Sequence, residues 1–417
     1  MQELGLQANV HYRVMRALSG PRLLTLAIFI NPRYARKITS MGDELSMAAG
    51  LHKDAFIRIE RGHRGTLTLE IPKPQNLWST LHVSRLPKRH GLRAVCGIDG
   101  EHRPTDIDFA NPLSPHVLIC GTTGAGKSNA QRLLVYDLAS QNHPGEVGFV
   151  LIDCQKRGKW WKDFANLPHL LHPIVTEETE AHKVLMWAVA ELDRRAIRDQ
   201  TKPSVFIWTD EVQSILSNEE IGRLFQTLAE VGREYGLHCG MALQNPTAEL
   251  MGGTANLKRN MVTRLVGKVD SPTTAHVATG QNGSGAERLT GFGDFLLIDP
   301  MIGTKRVTVA HLQQRDIEIL PYSETIRTLD LLQYEDTDHV LEQADVGRPQ
   351  DPLKMKHLAL ALKEPDVSQR ELHRQFSIGF TKAKRVLESA VELREELRLL
   401  GCRVVCGGAT KWCNETK

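Results

Sequence analysis

One run of eight residues constrains this chain more than any other. Gly121-Thr122-Thr123-Gly124-Ala125-Gly126-Lys127-Ser128 fits the pattern G-x-x-x-x-G-K-[ST]. The run also has the setting that the pattern needs. An apolar stretch, Val117–Cys120, leads into it, and an apolar-periodic helix, Ala130–Leu138, leaves it. Three glycines let backbone amides curl around phosphate oxygens, and the helix N-terminus adds the positive end of its dipole. The motif implies a bound nucleotide, ATP, cradled by Gly121 through Asn129. Lys127 is expected to neutralise the β- and γ-phosphates, and Ser128 to hold Mg²⁺.

Hydrolysis needs a carboxylate for the metal and another for water. The run Val205-Phe-Ile-Trp-Thr-Asp210-Glu211 places both after a buried strand. Asp210 is expected to bind Mg²⁺ through water, and Glu211 to polarise the attacking water. Asp-Glu adjacency suits attack by water better than transfer to a small-molecule acceptor. A further apolar run ends at Gln244, whose amide can sense the γ-phosphate or orient water.

From His116 onward, apolar runs alternate with helical stretches: Val117–Cys120, Phe149–Asp153, Val205–Trp208, Cys239–Leu243, Val262–Val266 and Asp294–Asp299. Such runs predict an α/β fold with a mostly parallel sheet covered on both faces. Before it, Leu23–Ile30 reads as a strand, Asp43–Leu51 as a helix and Thr66–Ile71 as an alternating strand. The expected organisation is an extension over 1–19, a small α/β domain over 20–110 and a P-loop motor over 111–325. A linker follows over 326–352, then a helical unit over 353–401 and a tail over 402–417.

Composition adds exclusions. The formal charge is +3, from 52 Lys and Arg against 49 Asp and Glu, so any nucleic-acid surface must be local. There is no run of about 18 apolar residues, and the opening MQELGLQANVHYRVMRAL lacks the build of a signal peptide. The expected location is cytoplasmic. Of the 7 cysteines, Cys96, Cys120, Cys154 and Cys239 are scattered and read as reduced. Cys402, Cys406 and Cys413 cluster in the tail without a fourth zinc ligand nearby.

Longer stretches resemble the FtsK/SpoIIIE family of double-stranded DNA translocases, within the HerA-FtsK group. His116–Asn129 looks like that family's P-loop segment, Leu167–Arg195 like its inter-motif segment, and Val205–Leu216 like its Walker B. GREYGLHCGMALQNP (Gly232–Pro246) and the stretch Asn260–Ile298, containing GAERLTGFGD, resemble two further family signatures. The resemblance implies a RecA-like motor that assembles as a hexameric ring around duplex DNA, with ATP at subunit interfaces. It implies that Arg233 reaches a neighbour's ATP as an arginine finger and that Lys268 acts across the same interface; read from the residues alone, Arg233 could equally pair on its own surface. The family's Asp-Ser-Arg-Thr is here Asp270-Ser271-Pro272-Thr273, the Arg after the sensor Gln is Asn245, and the Asp-Pro-Lys is Asp153-Cys154-Gln155-Lys156. The family's membrane-spanning N-terminal region has no counterpart in this sequence.

Near the C-terminus, Val367–Leu393 reads as helix, turn, helix, with Ser368 and Thr381 as caps and Gly379 in the turn. Arg370, Arg374, Lys382, Lys384 and Arg385 are left for phosphates or base edges. The unit looks like the family's winged-helix domain, with Thr381-Lys382 where the family has Asn-Arg. The expected function is an ATP-driven translocase of duplex DNA, for segregation or mobile-element transfer. Two alternatives stand: a HerA-like or conjugative coupling ATPase acting on single strands, and an ATP-gated DNA-binding or replication-initiation protein.

Overall fold

The computed structural model describes residues 7–331, apart from 9–10, 53–54, 63–64, 245 and 248–258. The winged-helix-like unit, with Arg370, Arg374, Thr381, Lys382, Lys384 and Arg385, lies outside the described residues, as do the tail cysteines.

Two sheets organise the chain. The smaller contains β1 (Tyr12–Ser19), β2 (Leu23–Ile30), β3 (Arg58–Arg61) and β4 (Thr66–Pro72), in the antiparallel order β1-β2-β4-β3. Two short helices, α1 (Pro32–Thr39) and α2 (Gly42–Ala48), follow β2. Asn31 caps α1 by accepting from the Arg33 amide, and Pro32 stands where a missing N–H costs nothing. Ile28, Ile30, Ile38, Leu45, Leu67 and Leu69 close a small core of their own. Leu23–Ile30 matches the sequence expectation residue for residue. By contrast β1, whose residues are mostly exposed, carries no apolar alternation and was expected as an extension without a pattern.

The larger sheet has nine strands: β5 (Arg93–Asp99), β6 (Pro104–Asp108), β7 (Val117–Cys120), β8 (Val147–Ile152), β9 (Ser204–Thr209), β10 (Leu237–Leu243), β11 (Thr263–Val266), β12 (Asp294–Asp299) and β13 (Gly303–Val309). Their order is β6-β5-β13-β12-β11-β7-β10-β9-β8. The run β11-β7-β10-β9-β8 is parallel, and every residue of those strands is buried. Burial on both faces is why they read as unbroken apolar runs. The run β6-β5-β13-β12-β11 is antiparallel. The sheet is therefore mixed, and the expectation of a mostly parallel sheet is corrected: half of its pairings are antiparallel. The reason is that β5, β6 and β13 carry polar residues among their apolar ones. They lack the apolar-run signature, and β5 and β6 sit in the large sheet although they precede residue 110.

The parallel half positions the chemistry. Helix α3 (Lys127–Gln141) leaves β7 through the Gly121–Ser128 loop. Strand β10 lies between β7 and β9, so the tips of all three point the same way and converge on one edge. Helix α5 (Glu219–Val231) begins at Asn218, which accepts from the amides of Glu220 and Ile221. Helix α6 (Pro272–Thr279) begins at Ser271, which accepts from the Thr274 amide. Pro272, which stands where the family pattern has Arg, thus follows the Ser271 cap as a proline at the first turn of the helix.

By contact density the chain divides into Met1–Leu185 with Lys202–Asp330, and Met186–Thr201 with Leu331–Lys417. The first unit holds both sheets. In the second, the described part is the C-terminal portion of helix α4 (Glu178–Arg198), where Arg195 Nε donates to Glu191 Oε1 at 2.6 Å.

Candidate nucleotide site

The Gly121–Ser128 loop owes its shape to glycine where an L side chain is strained. Gly124 and Gly126 have φ of 83° and 104°, and a Cβ on Gly126 would meet the Gly293 amide at 3.1 Å. Backbone bonds then fix the loop from two sides. The Thr122 amide donates to the Lys268 carbonyl at 2.7 Å, and the Thr122 hydroxyl donates to the same oxygen at 3.1 Å. Phe292 and Gly293 amides donate to the carbonyls of Gly124 and Ala125 at 3.0 and 2.8 Å.

That second clamp explains the Leu289–Asp294 stretch physically. Asp294 accepts from the Thr290 amide and hydroxyl at 2.8 and 2.9 Å. It also receives a two-pronged bond from Arg306, at 2.8 and 2.7 Å. Both side chains are essentially buried. Burial would raise the Asp294 carboxyl, but Arg306 and Thr290 more than offset this and hold it below its ordinary range.

Facing the loop are the carboxylates at the end of β9. The Asp210 amide donates to the Ile152 carbonyl at 3.0 Å, which keeps the tips of β8 and β9 in register. Asp210 Oδ2 stands 3.5 Å from Ser128 Oγ, while Asp210 Oδ1 is buried with no hydrogen-bond partner among the described residues. A hydroxyl and a buried carboxylate with one unsatisfied oxygen form a hard donor set that fits a small divalent cation completed by phosphate oxygens and water. Among the described residues no three His, Cys, Asp or Glu side chains gather as a metal site of their own.

Glu211 follows in the left-handed region, with φ of 48°, which turns its side chain back toward the loop. Gln244 Nε2 donates to Glu211 Oε1 at 2.8 Å, and Gln213 Nε2 donates to Oε2 at 2.5 Å. Lys156 Nζ lies 2.9 Å from Glu211 Oε1 and 3.3 Å from Asp210 Oδ2. Burial pushes both carboxyls up. For Asp210 burial prevails, whereas at Glu211 the bonds from Gln213, Gln244 and Lys156 win and hold the group below its usual range. Lys127 donates to the Gly121 carbonyl at 2.7 Å, and burial lowers its ammonium from the ordinary range.

These groups share a cavity of about 500 Å³. Thr123, Gly124, Gly126, Lys127, Ser128 and Asn129 line it with Lys156, Glu211 and Gln244; Arg22, Trp160, Phe292, Val309 and His311 form the other wall. Gly121, Thr122 and Ala125 hold the loop from behind rather than face the cavity. Asn129 spends its amide internally, donating to the Ala310 carbonyl at 2.8 Å and accepting from the Leu312 amide at 3.0 Å. It ties α3 to the chain after β13 and so sets His311 at the cavity's edge.

Two expected site residues stand apart from this constellation. Arg233 is exposed and donates to the Pro112 carbonyl at 2.8 Å. Lys268 meets the loop through its backbone carbonyl, as described above. Sequence reading missed Gln213, two positions beyond Glu211, and did not connect Lys156 with the carboxylates. The first could have been noticed from its spacing; the second depends on how a loop folds.

Strand–P-loop–helix geometry, with one strand inserted between the P-loop strand and the Asp-Glu strand, defines the class: a P-loop NTPase fold. The cytoplasmic domain of the Thermomonospora curvata type VII secretion ATPase EccC shares it, with a TM-score of 0.50 at 22% identity over 60% of this chain and 33% of that one. Residues 87–202 match the model of the FtsK/SpoIIIE family. The DNA translocase FtsK of Lactiplantibacillus plantarum is 26% identical over 396 residues, which is 85% of this chain and 48% of that protein. The DNA translocase SftA of Bacillus subtilis is 24% identical over 416 residues, 91% of this chain and 42% of its own length. Over residues 87–202 the chain is similar to the FtsK/SpoIIIE family. It spans less than half the length of these relatives. No helix among the described residues is long and apolar enough to cross a membrane.

Proposed function

We propose that this chain is an ATP-driven motor that moves duplex DNA, working with further copies of itself as a ring, hexameric by resemblance. The observation that carries the hydrolytic half is that Lys127, Ser128, Glu211 and Gln244 line one cavity at the tips of neighbouring strands, with Asp210 buried behind Ser128 at 3.5 Å. Loop amides and Lys127 bind the triphosphate. Ser128 and Asp210 hold Mg²⁺, which when bound neutralises phosphate charge. Glu211, kept ionised by Gln213 and Gln244, takes the proton of the attacking water. Gln244, bonded to Glu211 from the adjacent strand, orients that water and reads the γ-phosphate.

Relatives that bear the name DNA translocase, aligned over most of this chain, support the DNA half. Arg233 completes a neighbour's site once released from Pro112, Lys268 acts across the same interface, and Arg370, Arg374, Thr381, Lys382, Lys384 and Arg385 load or orient the duplex.

Turnover of ATP without DNA, with single strands and with duplexes of increasing length tests this reading. Strong stimulation by duplex, rising with length, is expected. Stimulation by single strands alone would favour the coupling-ATPase alternative. Absence of turnover throughout would favour a nucleotide-gated DNA-binding protein.

A further inference from the structure

The side chain that touches both Walker B carboxylates belongs neither to the P-loop nor to β9. Lys156 reaches them from the loop after β8, and that loop is built to deliver it. Asp153 Oδ1 accepts from the Lys156 amide at 2.9 Å, and the Asp153 carbonyl accepts from the Gly158 amide at 3.0 Å. Arg157 and Gly158 take φ of 50° and 71°, which folds the segment back on itself. A Cβ on Gly158 would already meet Ile174 at 3.0 Å, so the turn is also closed from outside.

Asp210 and Glu211 are 0% and 1% exposed, whereas Lys156 retains 29% of its side-chain exposure. Two adjacent buried carboxylates repel each other and the triphosphate that must enter beside them. An ammonium within 3.3 Å of both offsets that repulsion. It stands on Asp210 Oδ2, the oxygen that also faces Ser128, and so on ground that a divalent cation between those two groups would claim.

We propose that Lys156 is the resident counter-cation of the nucleotide-free site: it neutralises Asp210 and Glu211 until the metal–nucleotide complex arrives, and it gives up Asp210 to the metal. The inference rests on the ATP-site reading above. Lys156 is a positioning residue here, since it acts on the two carboxylates and not on the reacting phosphate. Its partly exposed side chain lines the cavity beside Trp160, whose ring centre lies 5.8 Å from Nζ.

This role has a signature that a merely structural ion pair lacks. Binding of a fluorescent, non-hydrolysable ATP analogue to the full chain is titrated with Mg²⁺ and with EDTA. In Lys156→Ala, metal-free binding weakens because the phosphates meet uncompensated carboxylates, while metal-supported binding tightens because a competitor is gone. The ratio of the two dissociation constants is expected to rise about tenfold over wild type. Lys156→Gln, which keeps a hydrogen-bond donor for the carboxylates and removes only the charge, is expected to behave like Lys156→Ala, and Lys156→Arg like wild type. A ratio within twofold of wild type in both neutral variants, whatever happens to either constant alone, overturns the proposal. If wild type binds the analogue under neither condition, the ATP site itself falls and the inference falls with it.

Discussion

Among single residues, Glu211, the proposed base, shows how a carboxylate is tuned by neighbours rather than by burial alone. Burial raises its pKa, and hydrogen bonds from Gln213, Gln244 and Lys156 reverse the effect. The carboxylate is therefore charged through the neutral range, and loss of the base on acidification falls below the usual glutamate range. Gln244→Leu removes one of those bonds. The acid limb of kcat/KM, which reports the free enzyme, is expected to move to higher pH in that variant, because a less stabilised carboxylate is protonated sooner as pH falls. An acid limb that stays in place while kcat drops would mean that Gln244 acts on the phosphate alone. Lys127, Ser128, Asp210, Glu211 and Gln244 were legible in the sequence because each lies in a short segment whose context is local: an apolar run, then the chemistry. Lys156 was visible as a residue but not as a contact, since its aim depends on Asp153 and on two successive left-handed residues.

At the scale of elements, the seam between the small sheet and the large one carries a buried charge cluster. Glu70 on β4 is 4% exposed, and its Oε2 has no hydrogen-bond partner among the described residues. Burial pushes its carboxyl up to about 7, with Arg306 and Arg58 pulling part of the way back. A carboxyl whose folded pKa lies above its unfolded value binds more protons when folded. Its contribution to stability is therefore favourable at low pH and is lost as pH rises from the ordinary glutamate range through about 7. The loss is on the order of 3 kcal/mol. Glu70→Gln is expected to flatten this part of the curve, so that unfolding measurements at pH 5 and pH 8 differ less than in wild type. An unchanged pH dependence would show that Glu70 is solvated in solution. The strands of this seam were the hard part of the sequence. β5, β6 and β13 mix charged or polar residues with apolar ones because they pair antiparallel toward an edge, and β1 is exposed along most of its length. The parallel strands, buried on both faces, announced themselves.

For the whole molecule, the proposed ring draws part of each active site from a second copy of the chain. Arg233 lies exposed just after α5, tethered to the Pro112 carbonyl. Such a tether is weak enough to exchange for a phosphate oxygen at an interface. If it does so, Arg233→Ala and Lys127→Ala are each inactive alone, for different reasons. Mixed subunits should then recover measurable ATP turnover, because some interfaces join an intact P-loop to an intact arginine. Mixtures that remain as inactive as their components would confine Arg233 to its own surface. The near-neutral net charge of +3 is compatible with such assembly, since it imposes little mutual repulsion between copies.

The proposed chemistry of this fold is ATP hydrolysis with Glu211 as the base. Turnover and analogue binding measured together in wild type and Glu211→Gln test it most directly. The variant is expected to bind the nucleotide about as well as wild type while turnover falls by roughly 10²- to 10⁴-fold. Turnover that survives the substitution within a few-fold would contradict the assignment.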